Sequence, residues 1–193
     1  MAEETHQKDK MIFDLARESS PATAASSQDN IILIGMPGAG KSTLGIVLAK
    51  ILSYDFLDAD LVIQNRYDKT LQKIIDACGP EGFIEVENAI LQDLTASKTV
   101  IATGGSAVYS AEAMNHLSTL GKMVYLRVSY EEMKIRLQDL QERGVVLRKG
   151  LSMSLADLYA ERKPLYEKYA EFTIDVDGLS IPAAARRVIE AIS

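Results

Sequence analysis

The chain has 193 residues, of which 47% are hydrophobic and 25% charged, with a net charge of −6 at neutral pH. That length and composition fit one globular domain with a sizeable core, and the acidic balance argues against a nucleic-acid surface. A lone cysteine, Cys78, rules out an internal disulfide and fits a reducing compartment; no apolar run reaches transmembrane length, and Glu3 and Glu4 at an N-terminus without an apolar h-region predict no secretory signal, so a cytoplasmic protein with no membrane partner is expected.

Residues 1–28 are polar, rich in Ser, Ala, Gln and Glu, and broken at Ser19-Ser20-Pro21. They read as a flexible N-terminal extension. Met11, Ile12, Leu15 and Ala16 are spaced as one amphipathic turn, either a docking segment or part of a frayed tail.

The stretch that follows carries the strongest chemical signal. Ile31–Ile34 is a short apolar run, read as a buried strand, and Lys41–Leu52 has helical apolar spacing through Leu44, Val47, Leu48, Ile51 and Leu52. Between them lies Gly-Met-Pro-Gly-Ala-Gly-Lys-Ser-Thr, residues 35–43, a G-x-x-x-x-G-K-[ST] phosphate loop in strand–loop–helix context. Glycines let backbone N–H groups approach a polyphosphate, and the helix N-terminus adds partial positive charge. Gly38, Ala39, Gly40, Lys41, Ser42 and Thr43 are the candidate nucleotide-binding residues. Lys41 can reach the β- and γ-phosphates, and the Ser42 hydroxyl can ligate Mg²⁺. ATP and Mg²⁺ are therefore the expected cofactors.

Strands and helices alternate from there. Strand patterns lie at Asp55–Leu57, Thr99–Ala102, Met123–Leu126 and Phe172–Ile174. Helical patterns lie at Leu61–Tyr67, Thr70–Cys78, Glu81–Thr95, Ala111–Leu120, Tyr130–Leu140, Leu155–Tyr169 and Ile181–Ile192. Ser129 with Glu132 reads as a capping box, and Ser154 as the cap of the Leu155 helix. This alternation predicts a parallel sheet covered on both faces. Residues 141–153 are basic, flanked by glycine and without a clean period, which suits a mobile lid over the phosphates better than an ordinary surface loop.

Asp58-Ala59-Asp60 follows the second strand, where ligands sit in a parallel sheet. One carboxylate suits Mg²⁺ through water and the other an acceptor hydroxyl, although the pair alone reads equally well as a helix cap. Thr103-Gly104-Gly105-Ser106 follows the third strand and reaches the same crevice, either as a substrate wall or as a tight turn. Arg162 can clamp a carboxylate or phosphate, or lie on a solvated helix face, and Arg136 and Arg143 invite the same pair of readings.

In this order, these pieces resemble the shikimate kinase family: residues 35–43, Asp58-x-Asp60, Ala102-Thr-Gly-Gly, Arg143 in the lid, and Arg162-x-Pro-Leu-Tyr. The resemblance covers Asn30 to Ser193. It implies a three-layer α/β/α fold of the P-loop kinase type, with a five-stranded parallel sheet of order 2-3-1-4-5 and a lid at about 141–153, in one domain spanning 29–193. It implies phosphoryl transfer from ATP to shikimate, with Lys41, Asp60 and Arg143 catalytic. Ser42 and Asp58 would serve the metal, and Arg136 would stack on adenine. Asp60, Gly104, Gly105 and Arg162 would hold the acceptor, with Arg162 on its carboxylate. A monomer is expected.

Three positions depart from the family pattern. Ile84 stands where the family has a carboxylate-binding arginine, while the glutamate that pairs with that arginine persists as Glu87. Serine, as Ser106, replaces the third glycine of the Gly-Gly-Gly run, and the lid reads Arg143-Gly-Val-Val. Losing one charge-assisted hydrogen bond costs roughly 1.5–3 kcal/mol, and the acceptor region is left acidic through Asp60, Asp68, Asp76, Glu81, Glu85 and Glu87. Two alternatives follow. One is a related kinase for another hydroxy acid or for an amino alcohol such as homoserine. The other, of a different class, is a nucleotide-binding module without turnover.

Overall fold

The computed structural model describes residues 28–138 and 154–193. Strand β1 (Asn30–Ile34) is buried along its whole length, as a central parallel strand must be. It pairs with β3 (Thr99–Ala102) on one side and β4 (Gly121–Arg127) on the other. Strand β2 (Asp55–Asp58) lies outside β3, and β5 (Phe172–Asp175) outside β4. All pairs are parallel and the order is β2-β3-β1-β4-β5, as the resemblance implies. The chain thus leaves β1 in opposite directions for its two neighbours, which opens a crevice beyond the carboxyl end of β1, at the phosphate loop. At the other end of the strand the buried Asn30 side chain locks three segments together. It donates to the carbonyls of Ala96 and Leu120, each at 2.8 Å, and accepts from the Thr99 N–H at 3.0 Å.

The helices are α1 (Lys41–Leu52), α2 (Ala59–Tyr67), α3 (Leu71–Asp93), α4 (Ala111–Leu120), α5 (Tyr130–Gln138), α6 (Leu155–Tyr169) and α7 (Ile181–Ile192). Helix α1 packs with α7 and against β3, while α4 packs with α3 and against β4, so both faces of the sheet are covered. Serine caps recur, each accepting a backbone N–H of the first turn: Ser110 for α4, Ser154 for α6 and Ser180 for α7. Ser154 and Asp157 form a complete capping box. Of the box expected at Ser129 only half forms: Ser129 accepts the Glu132 N–H, but its own N–H donates to Asp177, and Glu132 accepts from Arg136 instead.

One helix boundary differs from expectation. Helix α2 begins at Ala59 because the Asp58 side chain accepts the Asp60 N–H at 3.0 Å and so caps it. The helices expected at 70–78 and 81–95 are the two arms of α3, which meet at the non-helical backbone of Gly79 (φ 74°, ψ 172°) just before Pro80, as the sequence predicts. A proline cannot donate to the preceding turn, so a break is tolerated there and the helix resumes in a new direction. That redirection seats Ile63, Ile74, Phe83, Val86 and Ile90 in a second apolar cluster between α2 and α3, apart from the main core around the sheet.

Among the described residues no helix is long and apolar enough to cross a membrane. Residues 1–27 of the expected extension, the 141–153 lid with Arg143, and the end of the helix expected to reach Leu140 lie outside the described residues.

Candidate active site

The phosphate loop is shaped by left-handed backbone at Gly38 (φ 77°) and Gly40 (φ 91°), a region that excludes most side chains. Gly40 caps α1 without a side-chain hydrogen bond, and the first turn of α1 carries no acidic residue. The N-terminal amides are thus left for an anion. Lys41 is buried, and its Nζ donates to the carbonyls of Gly35 at 2.7 Å and Met36 at 3.0 Å. Burial lowers its pKa to about 8, against the opposing pull of the Asp60 carboxylate. Ser42 and Thr43, next in the turn, are exposed. Arg136 packs on the other side of the loop: its Cβ lies 3.5 Å from where a side chain on Gly38 would begin. The guanidinium donates to Glu132 Oε1 at 2.9 Å and to the carbonyls of Gly38 and Val176, each at 3.3 Å.

The loop after β3 gathers the remaining groups. A Cβ built on Gly104 would lie 2.1 Å from Glu87 Oε1 and 2.9 Å from Asp60 Oδ1. One built on Gly105 would lie 3.0 Å from Arg162 Nη1 and 3.0 Å from Pro37 Cδ of the phosphate loop. Two adjacent glycines therefore form a wall on which α2, α3, α6 and the phosphate loop converge. Arg162 is 1% exposed; its Nε donates to the Tyr109 hydroxyl at 3.1 Å, and its guanidinium carbon lies 5.0 Å from the centre of that ring. Tyr166, one turn further along α6, donates to the Gly105 carbonyl at 2.6 Å and stacks on Tyr125. These contacts fix the loop against the helix that carries the arginine.

Two carboxyl groups here are harder to ionise than usual. Burial, and then the neighbouring Asp58 charge, raises the pKa of Asp60 to about 6, with Lys41 opposing. Burial raises that of Glu87 to about 7, opposed first by the hydrogen bond from Ser106, whose Oγ donates to Oε2 at 2.6 Å. An acid that titrates near 6 beside a buried lysine is suited to accept a proton at neutral pH.

The structure thus brings Lys41, Asp58, Asp60, Gly104, Gly105 and Arg162 together and places Arg136 against the phosphate loop. Asp58 caps a helix, as one of its two readings has it, and lies close enough to Lys41 and Asp60 to act on their charge. Asp68, Asp76, Glu81 and Glu85 are exposed, and of the acceptor-side acids only Asp60 and Glu87 meet at the glycine wall. The parts played by Ser106 and Tyr109 were not legible beforehand. A signal existed for Glu87 alone: Phe83, Val86, Ile90 and Leu91 place it on the buried face of a helix, where a carboxyl needs a donor. Among the described residues no group of three or more His, Cys, Asp or Glu side chains could cage a metal ion. The oxygen donors of Ser42 and Asp58 suit a hard cation that keeps most of its water and phosphate ligands.

Comparison with known proteins agrees with this geometry. The family model for shikimate kinase matches residues 37–193. A shikimate kinase of Vibrio vulnificus is 38% identical over 164 residues, covering 84% of this chain and 95% of the relative. One from Pasteurella multocida is 39% identical over 165 residues, covering 84% and 94%. Among solved structures, the shikimate kinase from Acinetobacter baumannii in complex with shikimate superposes with a TM-score of 0.75 at 31% identity, covering 88% of this chain and 96% of that one.

Proposed function

Since this chain belongs to the shikimate kinase family, we propose that it transfers the terminal phosphoryl group of ATP to a hydroxyl of shikimate, giving shikimate 3-phosphate and ADP. The observation that carries this reading is the glycine wall. Gly104 and Gly105 abut a titratable aspartate on one side and a buried guanidinium on the other, next to the phosphate loop. A small hydroxy acid can then place its carboxylate on Arg162 and its hydroxyl on Asp60.

In the transfer, the acceptor oxygen bonds to the γ-phosphorus as the bond to the β–γ bridging oxygen breaks. Asp60 orients the hydroxyl and takes its proton. Lys41 leaves the carbonyls of Gly35 and Met36 for the phosphate oxygens and offsets charge on the transferred group, together with the N-terminal amides of α1. Arg136, already beside Gly38, bounds the nucleotide side, and Arg143, in the segment that the sequence reads as a lid, would supply a further positive charge. Ser42 and, through water, Asp58 would hold Mg²⁺, which would supply positive charge to the phosphates.

Transfer to an amino alcohol such as homoserine is a second reading. Ile84 favours it, because this residue packs as hydrocarbon against the second apolar cluster and brings no positive charge to the acceptor side. A coupled ADP-release assay with MgATP tests both readings. Saturable turnover with shikimate, well above a panel of hydroxy acids and amino alcohols, supports the first. Turnover confined to an amino alcohol refutes the first and supports the second. ATP binding with no ADP formed in the presence of any alcohol refutes both and leaves a nucleotide-binding module without turnover.

A further inference from the structure

Four large apolar side chains stand exposed among the described residues, and two of them, Ile46 and Ile51, share helix α1, each 55% exposed. Val47 is half-buried beside them and Lys50 is exposed. Residues three and four apart are neighbours on a helix surface, so positions 46, 47, 50 and 51 form one outward patch, apolar except for Lys50. The core does not use this patch, because α1 buries Leu44, Leu48 and Ala49 on its inner side. Helix α7 packs alongside α1 and exposes Arg186 and Arg187 against one exposed acid, Glu190. The exposed charges of the two helices are thus mainly positive.

Residues 1–28 complement this surface. Met11, Ile12, Leu15 and Ala16 repeat the spacing of 46, 47, 50 and 51, and Asp14 and Glu18 flank them in the sequence. The whole stretch carries five acidic side chains against three basic ones. The family match begins at residue 37, so the stretch lies outside the shared kinase machinery. The chain also enters the domain at the right place. Lys98 N–H donates to Asp29 Oδ1 at 3.2 Å, and the Lys98 carbonyl accepts the Asp55 N–H at 2.9 Å, just past the end of α1 at Leu52. From Ala16 to Gln28 the chain spans up to about 40 Å, against about 18 Å for the whole of α1.

We propose that residues 11–16 dock on the outer flank of α1, over Ile46, Val47 and Ile51, with Asp14 and Glu18 towards Lys50 and the arginines of α7. The segment is then an intramolecular strap that this chain adds to the kinase domain. The occupant is the chain's own segment because the tether holds it at an effective concentration of about a millimolar, far above that of a second molecule in dilute solution. Docking removes the apolar patch from water and so stabilises the folded domain. Ile46 and Ile51 take no part in the transfer described above, so the inference stands apart from the kinase reading.

The test uses the full chain, labelled with ¹⁵N, carrying a nitroxide on Lys50→Cys in a Cys78→Ser background. Docking predicts that paramagnetic broadening peaks at the amides of residues 11–16 and is weaker at residues 18–26, which lie between them and the domain. Broadening that only declines with distance from residue 28 is the signature of a segment that does not dock, and overturns the proposal. In a mixture of nitroxide-labelled protein at natural isotope abundance with unmodified ¹⁵N protein, residues 11–16 should stay sharp. Broadening there means that a second copy supplies the segment, which overturns the intramolecular strap. Leu15→Asp should abolish the peak and lower Tm by about 2–4 °C. Ile46→Asp should do the same, and the two together should do no more than either alone. Additive losses, or an unchanged Tm in both, overturn the contact. If Ile46→Asp melts far below Leu15→Asp, the broadening profile of Leu15→Asp decides the matter, since that substitution leaves α1 intact. None of these readouts uses substrate, so the kinase reading stands or falls separately.

Discussion

Replacing Gly104 with alanine probes the wall with a single methyl group. Gly104 lies outside the left-handed region, so alanine fits the backbone and the whole effect is steric. The new carbon would sit 2.1 Å from Glu87 Oε1 and 2.9 Å from Asp60 Oδ1. Normal contact requires Oε1 to retreat by about 1 Å and Asp60 by a few tenths of an ångström. Glu87 cannot swing into solvent, because it is buried and its other oxygen is held by Ser106. Overpacking of this kind costs about 1–3 kcal/mol, which for a domain of this size lowers Tm by roughly 3–10 °C. Moving the catalytic carboxylate and its neighbour by up to 1 Å lowers kcat/KM for the acceptor on the order of 100-fold. Nucleotide affinity should be unchanged, since Gly104 faces the acceptor side. The assay is ADP release with varied acceptor, paired with a thermal melt and a nucleotide titration. A Gly104→Ala protein with wild-type kcat/KM and Tm would refute the convergence of Asp60 and Glu87 on this glycine.

Three further outcomes follow from the same geometry. Arg162→Lys keeps the charge but loses the planar fork and the Nε contact to Tyr109, so acceptor KM should rise about 10- to 100-fold with KM for ATP unchanged; an unaltered acceptor KM would remove Arg162 from the site. With the Asp60 carboxyl raised to about 6 and needed in its ionised form, kcat/KM should fall as pH drops through 6 and level off above 7. A rate independent of pH from 5 to 8 would count against Asp60 as the base. Glu87 binds its proton more tightly when folded, since its carboxyl rises from 4.5 to about 7, so the unfolded chain holds fewer protons in that window and wild-type stability should fall as pH rises from about 4.5 to 7. Denaturant titrations should show Glu87→Gln gaining about 1–3 kcal/mol over wild type on going from pH 5 to pH 8; parallel profiles for the two proteins would contradict a carboxyl whose ionisation is opposed by burial.

Much of this protein is written locally. The phosphate loop needs only its glycines, Lys41 and Ser42 between an apolar run and a helical period. The strand and helix order follows from periodicities that extend over ten or so residues. The serine caps act on the N–H groups three residues on, and the Gly79-Pro80 break acts on its own turn and separates two helical arms, whose relative direction depended on the packing of Ile74 and Phe83 against Ile63. The resemblance carried Asp60, Gly104, Gly105 and Arg162 to one cleft, and the sheet order β2-β3-β1-β4-β5 places them there. Tertiary structure alone decided how those groups treat one another. Ser106 donates to Glu87 across 19 positions and Arg162 to Tyr109 across 53, and no local pattern encodes such pairings. The protonation of Asp60 and Glu87 is less local still, because it is set by desolvation and by charges summed over every neighbour. The residue types were therefore legible in the sequence, whereas the raised pKa of Glu87 exists only once the chain has closed around it and excluded water.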